Sequence, residues 1–459
     1  MNPSIGYVIL AAGKGTRMHS SSPKVLQTVL GKPLLGHVYT QLGHVPQALV
    51  WTVVGYGADQ VGTMFTERQS GFVYQHNQLG TGHAIQLAWP QIVASGVTHV
   101  CVINGDTPLV PVTEIEALVL QCSTAQAGMG VLTTILDNPF GYGRIIRNST
   151  GNIQAIVEEK DCQQEKDIHE VNTGVYIFDV TQCTPLLGSL NCDNQQNEYY
   201  LTQMVSLCTE QGCAVVGLAL QKNTFLRGIN SPQELVAYEE SLRDQIVAQH
   251  QRAGVIIRWN QSVVIGPDVT IEPGVEISGP TEIYGQTHLA AGTHIESHCW
   301  IKDSILRACH VKSFSHIDSS QIMAGTTIGP FARIRPGTTI HQNARVGNFV
   351  EIKKSTLQAG AKAGHLSYLG DCEVGQDANI GAGTITCNYD GAAKHRTIIR
   401  DQAFIGSNTA LVAPLTIGKK VVVGAGSVVT KNVPDNMLCV ARAKQVNIDR
   451  MKKKSQTGE

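Results

Sequence analysis

The chain contains no apolar run near the ~18 residues that span a bilayer, no Cys-x-x-Cys pair among its twelve cysteines, and almost no net charge, with 35 Lys plus Arg against 36 Asp plus Glu. The first absence excludes a helical membrane span, and the last excludes the one-signed field that nucleic-acid binding requires. Scattered cysteines, behind a Met-Asn-Pro-Ser-Ile start without a signal peptide, predict a reducing cytoplasmic setting. No Gly-x-x-x-x-Gly-Lys-Ser/Thr occurs, and Met18 stands where a dinucleotide fingerprint needs its third glycine, so neither a P-loop nor an NAD site is supported. The one basic cluster, Lys452 to Lys454, reads as a solvated tail or as one drawn to phosphate or membrane.

What the chain does have is a period of six. Aliphatic residues stand at Ile265, Ile271, Ile277, Ile283, Leu289, Ile295 and Ile301, again at Ile328, Ile334, Ile340, Val346 and Ile352, and again at Ile399, Ile405, Leu411, Ile417, Val423 and Val429. Six suits neither a helix nor an alternating strand, but it suits a parallel β-helix with three flat faces, one hexad to a face. Small residues such as Gly266, Gly274, Gly329 and Gly337 are expected to turn the chain between faces. At about 18 residues per coil and about 4.8 Å between coils, residues from about 255 to 437 make roughly ten coils, about 48 Å in all.

The N-terminal half alternates instead. Strand-like runs (Ile5 to Leu10, Ala48 to Val54, His99 to Ile103, Met129 to Leu136, Val175 to Phe178) are interleaved with helix-like stretches such as Gly82 to Trp89 and Thr113 to Gln121. This predicts a Rossmann-like α/β domain over 1–229, a mostly parallel sheet with helices on both faces. Ser231-Pro232 followed by Glu234 reads as a helix start, so 230–253 is expected to be a connecting helix, about 33 Å long if roughly 22 residues are helical. Residues 254–459 then form the hexapeptide-repeat domain.

In parallel α/β sheets ligands bind beyond the carboxyl ends of the strands. There lies Leu10-Ala11-Ala12-Gly13-Lys14-Gly15-Thr16-Arg17, followed by Pro23-Lys24, where small residues let backbone N–H groups approach a phosphate chain and two cations stand close by. Taken alone, the loop could equally be a glycine turn with surface cations. Gln75 with Gly80-Thr81 offers an amide for a base edge, and Asp106 closes the run from His99 as either a helix cap or a Mg²⁺ ligand. Gly143, Glu158, Asn172 and Asn230 add polar groups suited to sugar hydroxyls and to a second metal ligand.

The repeat is interrupted where polar residues gather: Arg335, Lys353, His365, Tyr368, Asn379, and Asn388-Tyr389 before an aperiodic stretch from Ala392 to Thr397. A lone histidine in a β-helix is ordinarily a satisfied surface residue. Seven such side chains within a few coils point instead to function inserted at breaks in the column.

The N-terminal motifs resemble those of the sugar-nucleotide pyrophosphorylases. With the hexapeptide repeats behind them, the chain from about residue 5 to about 445 is similar to the family of bacterial bifunctional N-acetylglucosamine-1-phosphate uridylyltransferases and glucosamine-1-phosphate N-acetyltransferases. The resemblance implies a left-handed β-helix, a homotrimer, Mg²⁺ as cofactor, UTP and acetyl-CoA as co-substrates, and UDP-N-acetylglucosamine for peptidoglycan and lipopolysaccharide as product. It also implies that Leu10, Ala11, Ala12 and Gly13 contact the nucleotide, that Arg17 and Lys24 handle the triphosphate, and that Gln75, Gly80 and Thr81 read uracil. Gly143, Glu158 and Asn172 would bind the sugar, and Asp106 and Asn230 the metal. In the repeats, Arg335 and Lys353 would bind the sugar phosphate, with His365 as general base and Tyr368 and Asn379 at the acceptor. Asn388 and Tyr389 would line the acceptor pocket and, with Ala382, Ser407, Ala425 and Arg442, meet acetyl-CoA. Gly424 stands where some relatives carry a bulkier residue. The alternative is a monofunctional pyrophosphorylase with a regulatory or trimerising β-helix, which has no reason to keep His365, Asn388 and Tyr389 together.

Overall fold

The computed structural model describes residues 4–107, 110–220 and 228–447. The predicted Lys452 to Lys454 tail lies outside them. The chain divides into two compact units, Met1–Ser241 and Leu242–Glu459. Among the described residues no helix is long and apolar enough to cross a membrane.

The first unit is built on a nine-stranded sheet. Its main path runs Val215–Leu220, Met129–Ile135, Glu170–Asp179, His99–Asn104, Ile5–Ala11, Val50–Val54, Phe72–Tyr74. Successive residues of the first strand feed opposite faces: Val8 belongs to one apolar core with Ile85 and Ile92, and Tyr7 and Ile9 to the other with Leu35 and Leu118. Period-two alternation with both faces covered by helices accounts for the continuous apolar runs in the sequence. The predicted helices are longer than their apolar pattern, Thr81–Ser95 and Val112–Ala125. The strand expected from Ala48 begins at Val50, because Gln47–Leu49 is a turn of 3-10 helix.

One strand departs from the parallel expectation. Glu170–Asp179 lies inside the sheet, third along this path, and runs antiparallel to both of its main-path neighbours. A parallel partner needs a crossover, commonly a helix, and the segment before it folds instead as a hairpin, Arg144–Arg147 with Ile153–Val157, which joins the sheet edge-on.

The connecting helix spans Pro232–Arg252. Its start is a reciprocal capping box: Glu234 N–H donates to Ser231 Oγ at 3.2 Å, and the Glu234 carboxylate accepts from Ser231 N–H at 3.0 Å. It stops at Gly254, in the left-handed region at φ 92°. The division between the two units falls inside this helix.

The second unit is a left-handed parallel β-helix of three sheets with eleven, ten and nine strands, every pairing parallel. The hexad residues point inward and are wholly buried, except Ile271 near the first coil, which is partly so. Where the period lapses, the core continues through Leu306, Val311, Ile317 and Ile322, and later through Leu357, Ala363, Leu369 and Val374. Some faces there take five residues rather than six. Thr386 replaces an aliphatic in the core, its hydroxyl accepting from Gly370 N–H at 2.8 Å and lying 3.1 Å from Gly370 O.

Gly274, Gly329 and Gly337 turn corners with positive φ, as expected; Gly266 does not, its N–H being spent on Ile283 O. Most corners are held by non-glycine residues. One corner runs His298, Phe314, Phe331, Phe349, Leu366, Gly383, Asn408, Gly426, all in the left-handed region. A bulky residue there costs about 1–2 kcal/mol, offset by stacking: ring centroids are 4.6 Å apart for His298 and Phe314, 4.8 Å for Phe314 and Phe331, and 5.3 Å for Phe331 and Phe349.

Candidate active sites

In the first unit a cavity of about 520 Å³ opens at the carboxyl ends of the strands, between the loop Leu10 to Arg17, Gln75 to Thr81, and Asp106. A second, of about 340 Å³, holds Gly143, Glu158 and Asn172, and shares Leu10, Arg17, Asp106 and Asn230 with the first. Every sugar, nucleotide and metal residue predicted in this half therefore lines one continuous site. A groove of about 540 Å³ at the sheet edge, beside Leu120 and Val216, contains none of them. Its one cation there, Arg147, is gripped by Glu170 through two bonds of 2.8 and 2.7 Å.

Lys24, only 9% exposed, reaches the junction of the two cavities, where its ammonium donates to Asp106 and, at 2.7 Å, to Asn230 Oδ1. Arg17 donates to the same Oδ1 at 3.0 Å. Gly15, at φ 62°, permits this approach, since a Cβ there would lie 2.6 Å from that of Lys24. The Asp106 carboxylate and the Asn230 amide oxygen thus converge on a single cation, a hard oxygen pair that suits Mg²⁺ bound together with substrate phosphates. Among the described residues there is no cluster of three or more His, Cys, Asp or Glu side chains that could cage a metal unaided.

The loop Gln75 to Thr81 is braced from outside. Gly82 N–H donates to Tyr199 O at 2.7 Å, and Tyr199 N–H to Leu79 O at 2.8 Å. Gln75 is 3% exposed and donates to Gly80 O at 3.0 Å, so its amide is held in place. In the second cavity Glu158 accepts from Thr202 Oγ1 at 3.0 Å. Burial raises its pKa, the Thr202 bond pulls it down, and Asp161 and Glu198 raise it further. Asn172 donates to the Tyr176 hydroxyl at 2.5 Å and accepts from Gly174 N–H at 3.0 Å. Thr202 was missing from the sequence reading, as was Arg144. The buried Arg144 guanidinium donates to Tyr142 O, beside Gly143, and pairs with Glu159 at 2.7 Å, next to Glu158. Arg144 follows Gly141-Tyr142-Gly143, which is the signal that could have found it, whereas Thr202 has no such neighbour and is revealed only by its contact.

In the β-helix, Arg335 donates to Glu351 at 2.7 Å. The predicted aperiodic stretch folds back on itself through an antiparallel bridge between Tyr389 and Lys394. The fold brings Lys394 against Lys353, whose pKa is lowered first by Lys394 and then by Arg335 and Lys354. A gathering of like charges on an open surface is the arrangement a phosphate completes. Lys394 was not anticipated; a lysine in the loop breaking the period is the signal that could have found it. Tyr368 and Asn388 meet over Gly370, where a Cβ would come within 2.5 Å of the Tyr368 hydroxyl and 2.8 Å of the Asn388 amide. Asn388 donates to Asp371 at 2.5 Å. Asn379 extends the ladder of Arg345 and Lys362, on the face that ends at His365.

Four of the six residues predicted to meet acetyl-CoA, Ala382, Ser407, Ala425 and Arg442, form a column. Asn408 N–H donates to Ala382 O at 2.7 Å, Gly426 N–H to Ser407 O at 2.8 Å, and Arg442 Nη1 to Ala425 O at 2.9 Å. They follow the corner that carries the aromatic stack, below the coil where bulky corner residues give way to Gly383, Asn408 and Gly426. His365 directly precedes Leu366, the last bulky residue. A Cβ at Gly424 would meet nothing nearer than 3.5 Å, so a larger residue also fits there.

A family model described as a MobA-like NTP transferase domain matches residues 7–164, and one described as bacterial transferase hexapeptide (six repeats) matches 319–354. The chain is 49% identical over 447 residues to a protein of Oleidesulfovibrio alaskensis, covering 96% of this chain and 97% of that one. It is 48% identical over 457 residues to one of Nitratidesulfovibrio vulgaris strain Hildenborough, covering 99% and 100%. With a protein of Acinetobacter baumannii strain AYE it shares 41% identity over 452 residues, 97% of each. All three bear the name bifunctional protein GlmU.

Proposed function

The chain belongs to the bifunctional GlmU family, and from that premise we propose that it makes UDP-N-acetylglucosamine by two reactions, one in each unit. In the β-helix the acceptor is glucosamine 1-phosphate, its phosphate held by Arg335, Lys353 and Lys394 and its sugar by Tyr368, Asn379 and Asn388. His365 takes a proton from the amine as nitrogen attacks the acetyl-CoA carbonyl; the C–N bond forms, the C–S bond breaks, and the thiol of coenzyme A leaves. A positioned base of this kind contributes about 10²- to 10⁴-fold in rate.

In the first unit the phosphate oxygen of N-acetylglucosamine 1-phosphate attacks the α-phosphorus of UTP and pyrophosphate departs. Lys24 and Arg17 offset the charge that gathers on the leaving group. Asp106 and Asn230 would hold Mg²⁺, which when bound supplies further charge neutralisation at the phosphates. Gln75, Gly80 and Thr81 select the uracil, and Gly143, Glu158 and Asn172 the acetamido sugar.

The observation that carries this reading is the shared wall of the two cavities, which puts Arg17, Asp106 and Asn230 between the nucleotide and sugar pockets, with Lys24 bonded to the last two from the nucleotide side. Three copies associating through the β-helix complete the assembly. Phe404, Val422 and Leu438, successive in register and 50%, 44% and 69% exposed, support that association. The reactions belong to the cytoplasm, and the product supplies cell-wall precursors. The test supplies glucosamine 1-phosphate, acetyl-CoA, UTP and Mg²⁺ and follows free thiol and pyrophosphate separately. Both are expected; pyrophosphate formed only when N-acetylglucosamine 1-phosphate is added, with no thiol release, would reduce the chain to a monofunctional pyrophosphorylase.

A further inference from the structure

His365 meets one polar side chain that the proposed reaction leaves unused. Its Nδ1 lies 2.6 Å from Oδ1 of Asn348, directly across the ladder in the preceding coil. A carboxamide oxygen can only accept, so the proton of the neutral ring sits on Nδ1 and the lone pair on Nε2. This is the tautomer a base needs if Nε2 is to face the substrate, and it is set by the bond on the opposite nitrogen.

The backbone makes this pairing unusually close. Asn348 and His365 end adjacent strands, Arg345–Asn348 and Lys362–His365, and each is followed by a left-handed corner residue, Phe349 and Leu366. Leu366 N–H donates to Asn348 O at 3.1 Å, and Phe349 N–H to Phe331 O at 3.0 Å, so both turns are pinned in the same stack. A Cβ on Gly347 would lie 1.9 Å from Gly364 O. Glycine at 347 thus lets the two strands close up one residue before the pair.

We infer that Asn348 is a positioning residue for acetyl transfer: it fixes the tautomer and the ring plane of His365 so that Nε2 accepts the proton of the substrate amine. The inference rests on the proposed role of His365 as base. It predicts that the Asn348 side chain acts on turnover rather than on substrate binding.

The experiment measures kcat, KM for both substrates and the pH–rate profile of acetyl transfer in the full-length wild type, H365A, N348A and N348D, with the β-helix transition in calorimetry as a control for folding. N348A is expected to lose about 10- to 100-fold in kcat, the scale of a misplaced catalytic group, with both KM values changed less than about twofold. N348D restores the acceptor on Nδ1 and adds a charge that favours the imidazolium. It is expected to recover most of kcat at alkaline pH, with the acid limb of its profile moved up by about one pH unit. Arg345 and Lys362 on the same face, and Glu351, Lys353 and Tyr368 on the next, are common to all four proteins, so the shift reports on position 348. Wild-type kcat in N348A, or an N348D variant as slow as N348A with an unmoved profile, overturns the inference. Activity retained in H365A overturns the general-base reading itself.

Discussion

The ammonium of Lys24 donates directly to the carboxylate of Asp106, across 82 residues of sequence, and the amide oxygen of Asn230 completes its cradle. A divalent ion entering between Asp106 and Asn230 must share them with this lysine, whose natural alternative partner is a phosphate oxygen. On the proposed reading the lysine fills the cation position without triphosphate, and with it lysine and metal divide the charge.

If that division holds, Asp106→Ala removes the metal's only carboxylate among the residues proposed and leaves Lys24 with Asn230 alone. Pyrophosphate release is expected to fall below detection while thiol release from acetyl-CoA stays at the wild-type rate. Normal uridylyl transfer by this variant would remove Asp106 from the metal site.

The first unit extends past the predicted boundary at residue 229. Leu30 N–H donates to Glu239 at 2.7 Å, and Glu234 accepts from Asn230 N–H at 2.6 Å, so the start of the connecting helix supports the segment that carries Asn230. A chain ending at Ser241 is expected to keep uridylyl transfer and lose acetyl transfer. One ending at 229 should be less stable by about 1–3 kcal/mol, for a buried N–H left without its partner, and so unfold at a lower denaturant midpoint. Equal midpoints for the two chains would show that these bonds are incidental.

The loop lysine offers a test of the phosphate site. Lys394→Ala should raise KM for glucosamine 1-phosphate at least tenfold, as loss of a charged phosphate contact costs about 1.5–3 kcal/mol. KM for acetyl-CoA should not move. A variant with an unchanged acceptor KM would leave Arg335 and Lys353 as the whole phosphate site.

Glu158 makes stability depend on pH in a definite direction. Burial raises its pKa in the folded state, so its contribution is fully present below the unfolded value and is lost as pH rises through the folded one. Glu158→Gln removes the ionisation, and its thermal midpoint relative to wild type should therefore rise from pH 5 to pH 8. A difference that stays constant across that range would contradict the buried, raised carboxyl.

At Gly347 the expected effect is steric. Gly347→Ala puts a methyl group 1.9 Å from a backbone oxygen, and a rigid neighbour of that kind cannot yield. Acetyl transfer should be lost and the β-helix transition lowered by several degrees in calorimetry, while uridylyl transfer persists. A variant with a normal transition and normal acetyl transfer would mean that the two strands can separate at no cost to the site.

The sequence alone carried the architecture, because the features that specify it are local. A six-residue period requires only that each face bury one aliphatic, and small-residue loops after apolar runs mark where a parallel sheet binds ligands. The N-terminal site was legible for the same reason, since its residues sit at strand ends that the pattern locates. Other features depend on counts that a period cannot supply. Nothing in the run Val175 to Phe178 says that it runs antiparallel; the hairpin before it decides that. Counting in eighteens from His365 leads to Gly383, Asp401 and Lys419, whereas the corner column passes through Ala382, Ser407, Ala425 and Arg442, because some faces take five residues and a loop is inserted before Thr397. The contact between Lys394 and Lys353, the bond from His365 to Asn348, and the change from bulky to small residues down one corner all follow from where each coil closes. That closure is set by corner geometry and by the stacking of one coil on the next, so only the tertiary structure decided them.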